Sequence, residues 1–324
     1  MRLNASLIAL LGLAIVASLA VGRFPVSFSD VVGALIPSYA EGDDVARQIV
    51  ETLRLPRVLL AALCGIALGL AGAAMQGVFR NPLVGPELCG VSSGAALGGV
   101  IAILINLPGA AAYGFAFVTG LLALVGVFLL AQVLGRGSLL SLVLIGVIIS
   151  SFLSACIGVI QILADPAKEL PTMVYWLMGS FSGATWSEVG VVAVIVLIAG
   201  GALLALRWRI NLLSLDDTDA RALGVSVTTL RWVVIGWVAA LVAAQVSVGG
   251  GIGWVGLIVP HAARLMVGAE HGRLLPTSAW LGGIYLVIID DVARGVSDQE
   301  IPIGLLTAIL GAPIFALILW KATK

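Results

Sequence analysis

Along the chain, apolar residues gather into long blocks separated by short polar stretches, and the blocks carry no strict two-residue alternation of the kind that marks half-buried strands. They predict membrane-crossing helices near 5–22, 57–79, 91–106, 112–134, 138–163, 188–206, 230–249, 252–268, 275–292 and 303–320. A helix needs about 20 apolar residues to cross the hydrocarbon of a bilayer. The pattern therefore reads as an all-α membrane protein, a polytopic bundle of about ten transmembrane helices, with residues 1–324 forming one transmembrane domain. The polar interruptions of note are 23–56, the turn Arg80 to Gly90, the aromatic-bearing segment Asp165 to Glu188, and a loop over about 208–229.

Composition sharpens this. The 324 residues are 60% hydrophobic and only 10% charged, and the mean hydropathy is +1.15. That balance leaves too little polar surface for a fold in water. Seventeen basic residues face seventeen acidic ones, so no excess charge points to nucleic acid. Cys64, Cys89 and Cys156 have no paired spacing and read as packing residues. The basic, apolar N-terminus has features of a secretory signal, yet a retained first span is the expected reading. If it starts in the cytoplasm, eleven Lys and Arg fall inside and six outside, and both termini are cytoplasmic.

Some charges fit this bundle poorly. Arg54 and Arg57, three apart and beside Pro56, sit at the external start of the second span. A cation is disfavoured there both by topology and by the helix dipole. Either they pair with Glu51, Asp43 or lipid phosphate, or an anionic partner meets them from outside. Arg294, beside Asp298 and Glu300, poses the same question. In the loop, Asp216 or Asp217 can cap a short helix that Gly224 stops. Such a helix needs something to pack against, whether the membrane domain or a cytoplasmic protein. Asp290 and Asp291, at the external end of the ninth span, read as solvated or capping acids; as buried acids they would instead suit an ion-coupled secondary transporter. His261 and His271 lack ligand-spaced companions, so no metal site is expected. There is no phosphate-binding GxxxxGK[ST] and no catalytic constellation, so the chain is expected not to be an enzyme. GGGIGWVG, Gly249 to Gly256, reads as a turn between helices.

Four collinear segments resemble the FecCD-type permeases of ABC importers for iron-siderophore complexes, haem and vitamin B12. They are RLPRVLLAALCGIALGLAGAAMQGVFRNPLVGPELCGVSSGAALG (54–98), YWLMGSFSG (175–183), DDTDARALGVSVTTLR (216–231), and GWVGLIVPHAARLMVGAEHGRLLP with EIPIGLLTAILGAPIF. The resemblance implies the fold of the vitamin B12 importer's permease. The second to fifth and seventh to tenth spans would form inverted repeats. It also implies a dimer with a second copy or a close paralogue, two cytoplasmic ATPase subunits and a periplasmic or lipid-anchored binding protein. ATP and Mg would belong to the ATPases, with no cofactor on this chain. By the same resemblance Arg54, Arg57 and Arg294 would meet carboxylates of the binding protein, and Asp216, Asp217, Ala220, Arg221, Leu223 and Gly224 would couple to the ATPase. Asn81, Pro82 and Leu83 would form a cytoplasmic gate, with Ser138 in a second gate loop. Ferric siderophore is the first expectation for the cargo, haem the second and vitamin B12 the third, across a bacterial or archaeal inner membrane.

Overall fold

The computed structural model describes residues 2–22, 24–35, 44–134, 139–297 and 299–322, the side chains of 318, 319, 321 and 322 aside. All regular structure among them is helical. Helix α1 (Arg2–Ala20) is followed by the short α2 (Phe28–Leu35) and α3 (Asp44–Ile49). A π-helical turn, Val50–Arg54, then runs without a break into α4 (Leu55–Phe79). After a 3-10 turn at Pro86–Cys89 come α5 (Val91–Leu104), α6 (Gly109–Leu134), α7 (Leu139–Leu163) and the short α8 (Glu169–Leu177). Helices α9 (Trp186–Ile195) and α10 (Gly201–Leu213) are joined through a second π-helical turn. The chain closes with α11 (Asp217–Ala222), α12 (Val227–Gly249), α13 (Val255–Val267), α14 (His271–Gly295) and α15 (Ile303–Ala322).

Seven of these segments are long and apolar enough to cross a membrane. Three further apolar helices, within 91–104, 255–267 and 303–317, are shorter. The spans predicted at 91–106 and 252–268 thus contract to helices of 14 and 13 residues. At 1.5 Å per residue each covers about 20 Å, short of a hydrocarbon core of about 30 Å.

Helix α4 is the hub. Its window is 83% buried, against 17% for α6 and 11% for α7, so the latter two lie at the periphery and expose apolar faces. What lets α4 sit so deep is its small residues. A Cβ on Gly65 would lie 2.1 Å from the Gly282 carbonyl oxygen, and one on Gly69 would lie 2.2 Å from that of Ser278. The backbones of α4 and α14 therefore touch, the mode of helix packing that lipid favours because it offers no hydrophobic drive between helices. Buried Gln76 adds a polar tie to α13, donating to the Leu257 carbonyl at 3.4 Å and accepting from Arg264 at 3.1 Å.

Two stretches of the fold echo one another. Helices α4 to α7 have 25, 14, 26 and 25 residues, and α12 to α15 have 23, 13, 25 and 20. In each, a long helix meets a turn, then a helix of 13 or 14 residues, then two of 20 or more. Helix α4 begins at the end of the bundle holding Asp290, whereas α12 begins at the opposite end, near Asp217. The two series therefore run in opposite senses, as in the inverted repeats of transporters.

Candidate functional site: two polar ends and the cavity between

Arg54, Arg57 and Arg294 converge at one end of the bundle, and all three are buried, with 6%, 8% and 5% exposure. Arg57 grips Asp290 through Nε at 2.9 and 3.1 Å and Glu300 through Nη1 at 2.9 Å. Arg294 reaches Asp290 at 3.2 Å and also pairs with Asp291. Its Nη1 donates to the Val21 carbonyl and its Nη2 to that of Ser18, both at 2.8 Å. Arg54, turned back by the π-helical turn, donates to the Leu19 carbonyl at 2.7 Å and to that of Phe24. The carbonyls of Ser18, Leu19 and Val21 lie at the C-terminal end of α1, where a helix has unpaired acceptors and a negative dipole end. Arg54, which looked misplaced at the start of one helix, thus closes the end of another together with Arg294.

This arrangement differs from the sequence-based expectation in two respects. The arginines have partners within the chain, and Glu51 is not among them; it pairs with Arg47 instead. Asp290 is fully buried between two guanidinium groups, not solvated, because Arg57 and Arg294 compensate its charge. Asp298 and the acidic patch at Glu41 to Asp43 lie outside the described residues.

At the opposite end, α11 packs against α10 and α12. Asp216 caps it, its carboxylate accepting from the Asp217 amide at 2.9 Å. Arg80, in the left-handed conformation with φ 52°, donates to the Leu213 carbonyl at 2.8 Å and pairs with Asp217. Arg231 reaches the same carboxylate at 3.2 Å. Burial opposes its ionisation, yet Arg231 and Arg80 hold the Asp217 carboxyl below the usual aspartate range. Ala220 is turned inward and fully buried, while Leu223 is 63% exposed beside Arg221 and Gly224. A groove of about 450 Å³ runs along this side, lined by Leu223, Gly224, Val225, Arg209 and Leu212 among others. Sequence reasoning missed Arg80 and Arg231 as the anchors of α11, since Arg80 lies 137 positions from Asp217 and Arg231, 14 positions away, is folded back onto it by the turn between α11 and α12.

Between the ends, the 3-10 turn before α5 meets the first turn of α13. The ring of Pro86 lies against Gly256, and Gly256 lies against Gly72, two helical turns before the end of α4. Non-helical backbone also enters the bundle, at 179–181 and 250–253, where Gly179, Phe181, Gly250 and Ile252 are buried. In a membrane protein that is tolerated only where protein buries it or a cavity accepts it. Gly250, with φ +65°, and Gly179, with φ +79°, allow the turns to interlock: Ser180 donates to the Gly249 carbonyl at 3.0 Å and Ile303 to that of Gly179 at 2.8 Å. Beside them opens a cavity of about 380 Å³ lined by Glu87, Ser92, Ser93, Ser154, Gly251 and Gly253 with apolar neighbours. Asn81, Pro82 and Leu83 are exposed at the head of the turn before α5, where the Asn81 side chain accepts from the Leu83 amide at 2.9 Å. Ser138 lies outside the described residues.

Residues 10–321 match the profile of the FecCD transport family. The molybdate import system permease protein of Haemophilus influenzae is 44% identical over 320 residues, covering 97% of this chain and 94% of that protein. The hemin transport system permease protein of Yersinia pestis is 40% identical over 280 residues, 84% of this chain and 83% of the relative. A solved chain described as an inward-facing conformation of a metal-chelate type ABC transporter superposes with a TM-score of 0.90 at 42% identity, covering 99% of both chains.

Proposed function

The chain belongs to the FecCD transport family, a multi-pass permease family of ABC transporters, and from that premise we propose that it is the membrane subunit of a binding-protein-dependent importer of a metal-containing cargo. The observation that carries this reading is the pair of non-helical turns that interlock inside the bundle beside a serine-lined cavity. The two helix series of the bundle run in opposite senses, an architecture suited to alternating access. On this reading the three short apolar helices complete a ten-span bundle in a bacterial or archaeal inner membrane, a single permease domain with both termini cytoplasmic.

The partners follow from the same reading. A second copy or close paralogue pairs with this chain, two ATPase subunits bind ATP and Mg beneath it, and a binding protein docks outside. Leu223, Arg221 and Gly224 present the ATPase contact. Asp216, Asp217 and Ala220 seat α11, so that motion of the ATPase is passed to α4 and α12 through Arg80 and Arg231. Asn81, Pro82 and Leu83 serve as the cytoplasmic gate. At the docking end, Arg54, Arg57 and Arg294 fix α1, α4 and α14 together and position Glu300 and Asp291, which are partly exposed. The chain does no covalent chemistry in this scheme.

A ferric siderophore is our first choice of cargo. Serine hydroxyls and a carboxyl group suit the amide and hydroxyl periphery of a chelate. Molybdate is the second reading, favoured by the 44% identical relative. The test is metal and mass analysis of what the cognate binding protein carries when purified from cells. Iron with an organic chelator supports the first reading, and molybdenum without one replaces it by the second.

A further inference from the structure

A second cavity lies away from the transport elements, at the docking end of α6, α9 and α12. It has a volume of about 280 Å³ and is lined along α9 by Glu188, Val191, Val192 and Ile195 and along α6 by Tyr113 and Phe117. The α9 residues span seven positions, so the cavity descends about 10 Å along the helix. Its mouth is open toward the apolar exterior. Val191 is exposed, as are Val118, Val194 and Leu197 around it, and no atom stands within 4 Å of a Cβ built on Gly114. At the top, it shares Tyr113 and Glu188 with a wider groove of about 470 Å³ that includes Tyr175, Trp176 and Phe181.

Glu188 is the singular feature. It is 5% exposed, and none of the ion pairs among the described residues includes it. Its local role is to close a capping box: the Thr185 amide donates to Oε2 at 3.2 Å, and the Glu188 amide donates to Thr185 Oγ1 at 3.5 Å. The Tyr113 hydroxyl is hydrogen-bonded to the same carboxylate from across the cavity; these neutral donors and the favourable end of the helix dipole satisfy its oxygens without neutralising its charge. They do not account for a carboxylate facing an apolar shaft that opens to the bilayer, beneath aromatic rings.

The geometry points to a site for one bilayer lipid with a primary-ammonium headgroup, its ammonium on Glu188 and an acyl chain in the shaft between α6, α9 and α12. The first turn of α9 lies where headgroups lie: Trp186, an interfacial residue type, is exposed, and its indole N–H donates to the Glu51 carbonyl at 3.1 Å. Tyr113, Tyr175 and Trp176 offer faces for a cation, and the carboxylate offers a hydrogen-bonded ion pair that only a protonated amine completes. The inference stands apart from the transport reading and from the identity of the cargo.

The full-length chain in nanodiscs of equimolar phosphatidylethanolamine, phosphatidylcholine and phosphatidylglycerol provides the test, with retained lipid read by native mass spectrometry. Phosphatidylethanolamine is expected to be enriched on the order of fivefold over the other two. Glu188→Gln keeps the capping box, which glutamine also closes, and should bring phosphatidylethanolamine and phosphatidylcholine to parity. Gly114→Leu, whose side chain enters open space, should release the retained lipid of every kind. Parity in the wild type, or an enrichment that survives both variants, overturns the proposal.

Discussion

Arg57, Asp290 and Arg294 show how much a single residue's meaning depends on what the fold brings to it. Each is a buried charge whose cost is met by its neighbours, so removing one partner leaves the others uncompensated. Arg57→Ala should lower stability by about 3 to 5 kcal/mol, read as a fall in the thermal midpoint of the purified chain, while Arg57→Met combined with Asp290→Leu should cost much less than the single change. Asp217 carries a pH prediction. Its carboxyl is held below the usual aspartate value, so it contributes stability that is present above about pH 4 and is lost as pH falls through its folded value. Hydrogen exchange over 217–222 should rise in that acid range in the wild type but show no such step in Asp217→Asn. The sequence made the external arginines conspicuous as violations of local rules. It could not reveal their partners, since Arg57 and Asp290 are 233 positions apart and the carbonyls at the end of α1 leave no mark in side-chain pattern.

Among the elements, apolar blocks predicted the long helices well, with α6, α7, α12 and α14 falling close to their expected places. The short helices were less legible. Hydropathy counts apolar residues and is blind to backbone conformation, so the non-helical residues 252–254 before α13 were absorbed into a predicted span, whereas the turn Arg80 to Gly90 before α5 stood apart. Packing of the long helices rests on a few glycines. Gly65→Leu would drive a side chain into the backbone of α14 and should abolish recovery of folded protein in mild detergent. Gly12→Leu, where nothing lies within 4 Å, should be recovered normally. The short α11 was anticipated, together with its cap at Asp216 and its stop at Gly224. Its inward and outward faces were not, because Ala220 and Leu223 are both apolar and only the fold separates them. Leu223→Asp should leave expression unchanged and lower substrate-stimulated ATP hydrolysis of the assembled complex at least several-fold. Stimulation at the wild-type level would remove α11 from the coupling path.

As a whole molecule, the chain looks like one part of a larger machine. Its hub is buried, while α6 and α7 expose broad apolar faces, and a groove lines the exposed side of α11. The ion cluster at the far end holds α1, α4 and α14 as one body. Asp290, the acid that a secondary transporter would need to load and release a cation, is locked between Arg57 and Arg294 at that end. Transport is therefore expected to draw its energy from a partner. The most direct measurement is cargo uptake into proteoliposomes holding this chain, with the ATPase subunits, the loaded binding protein and ATP each omitted in turn. The account predicts that uptake requires all three and is indifferent to a proton or sodium gradient; uptake by this chain alone, driven by such a gradient, would contradict it.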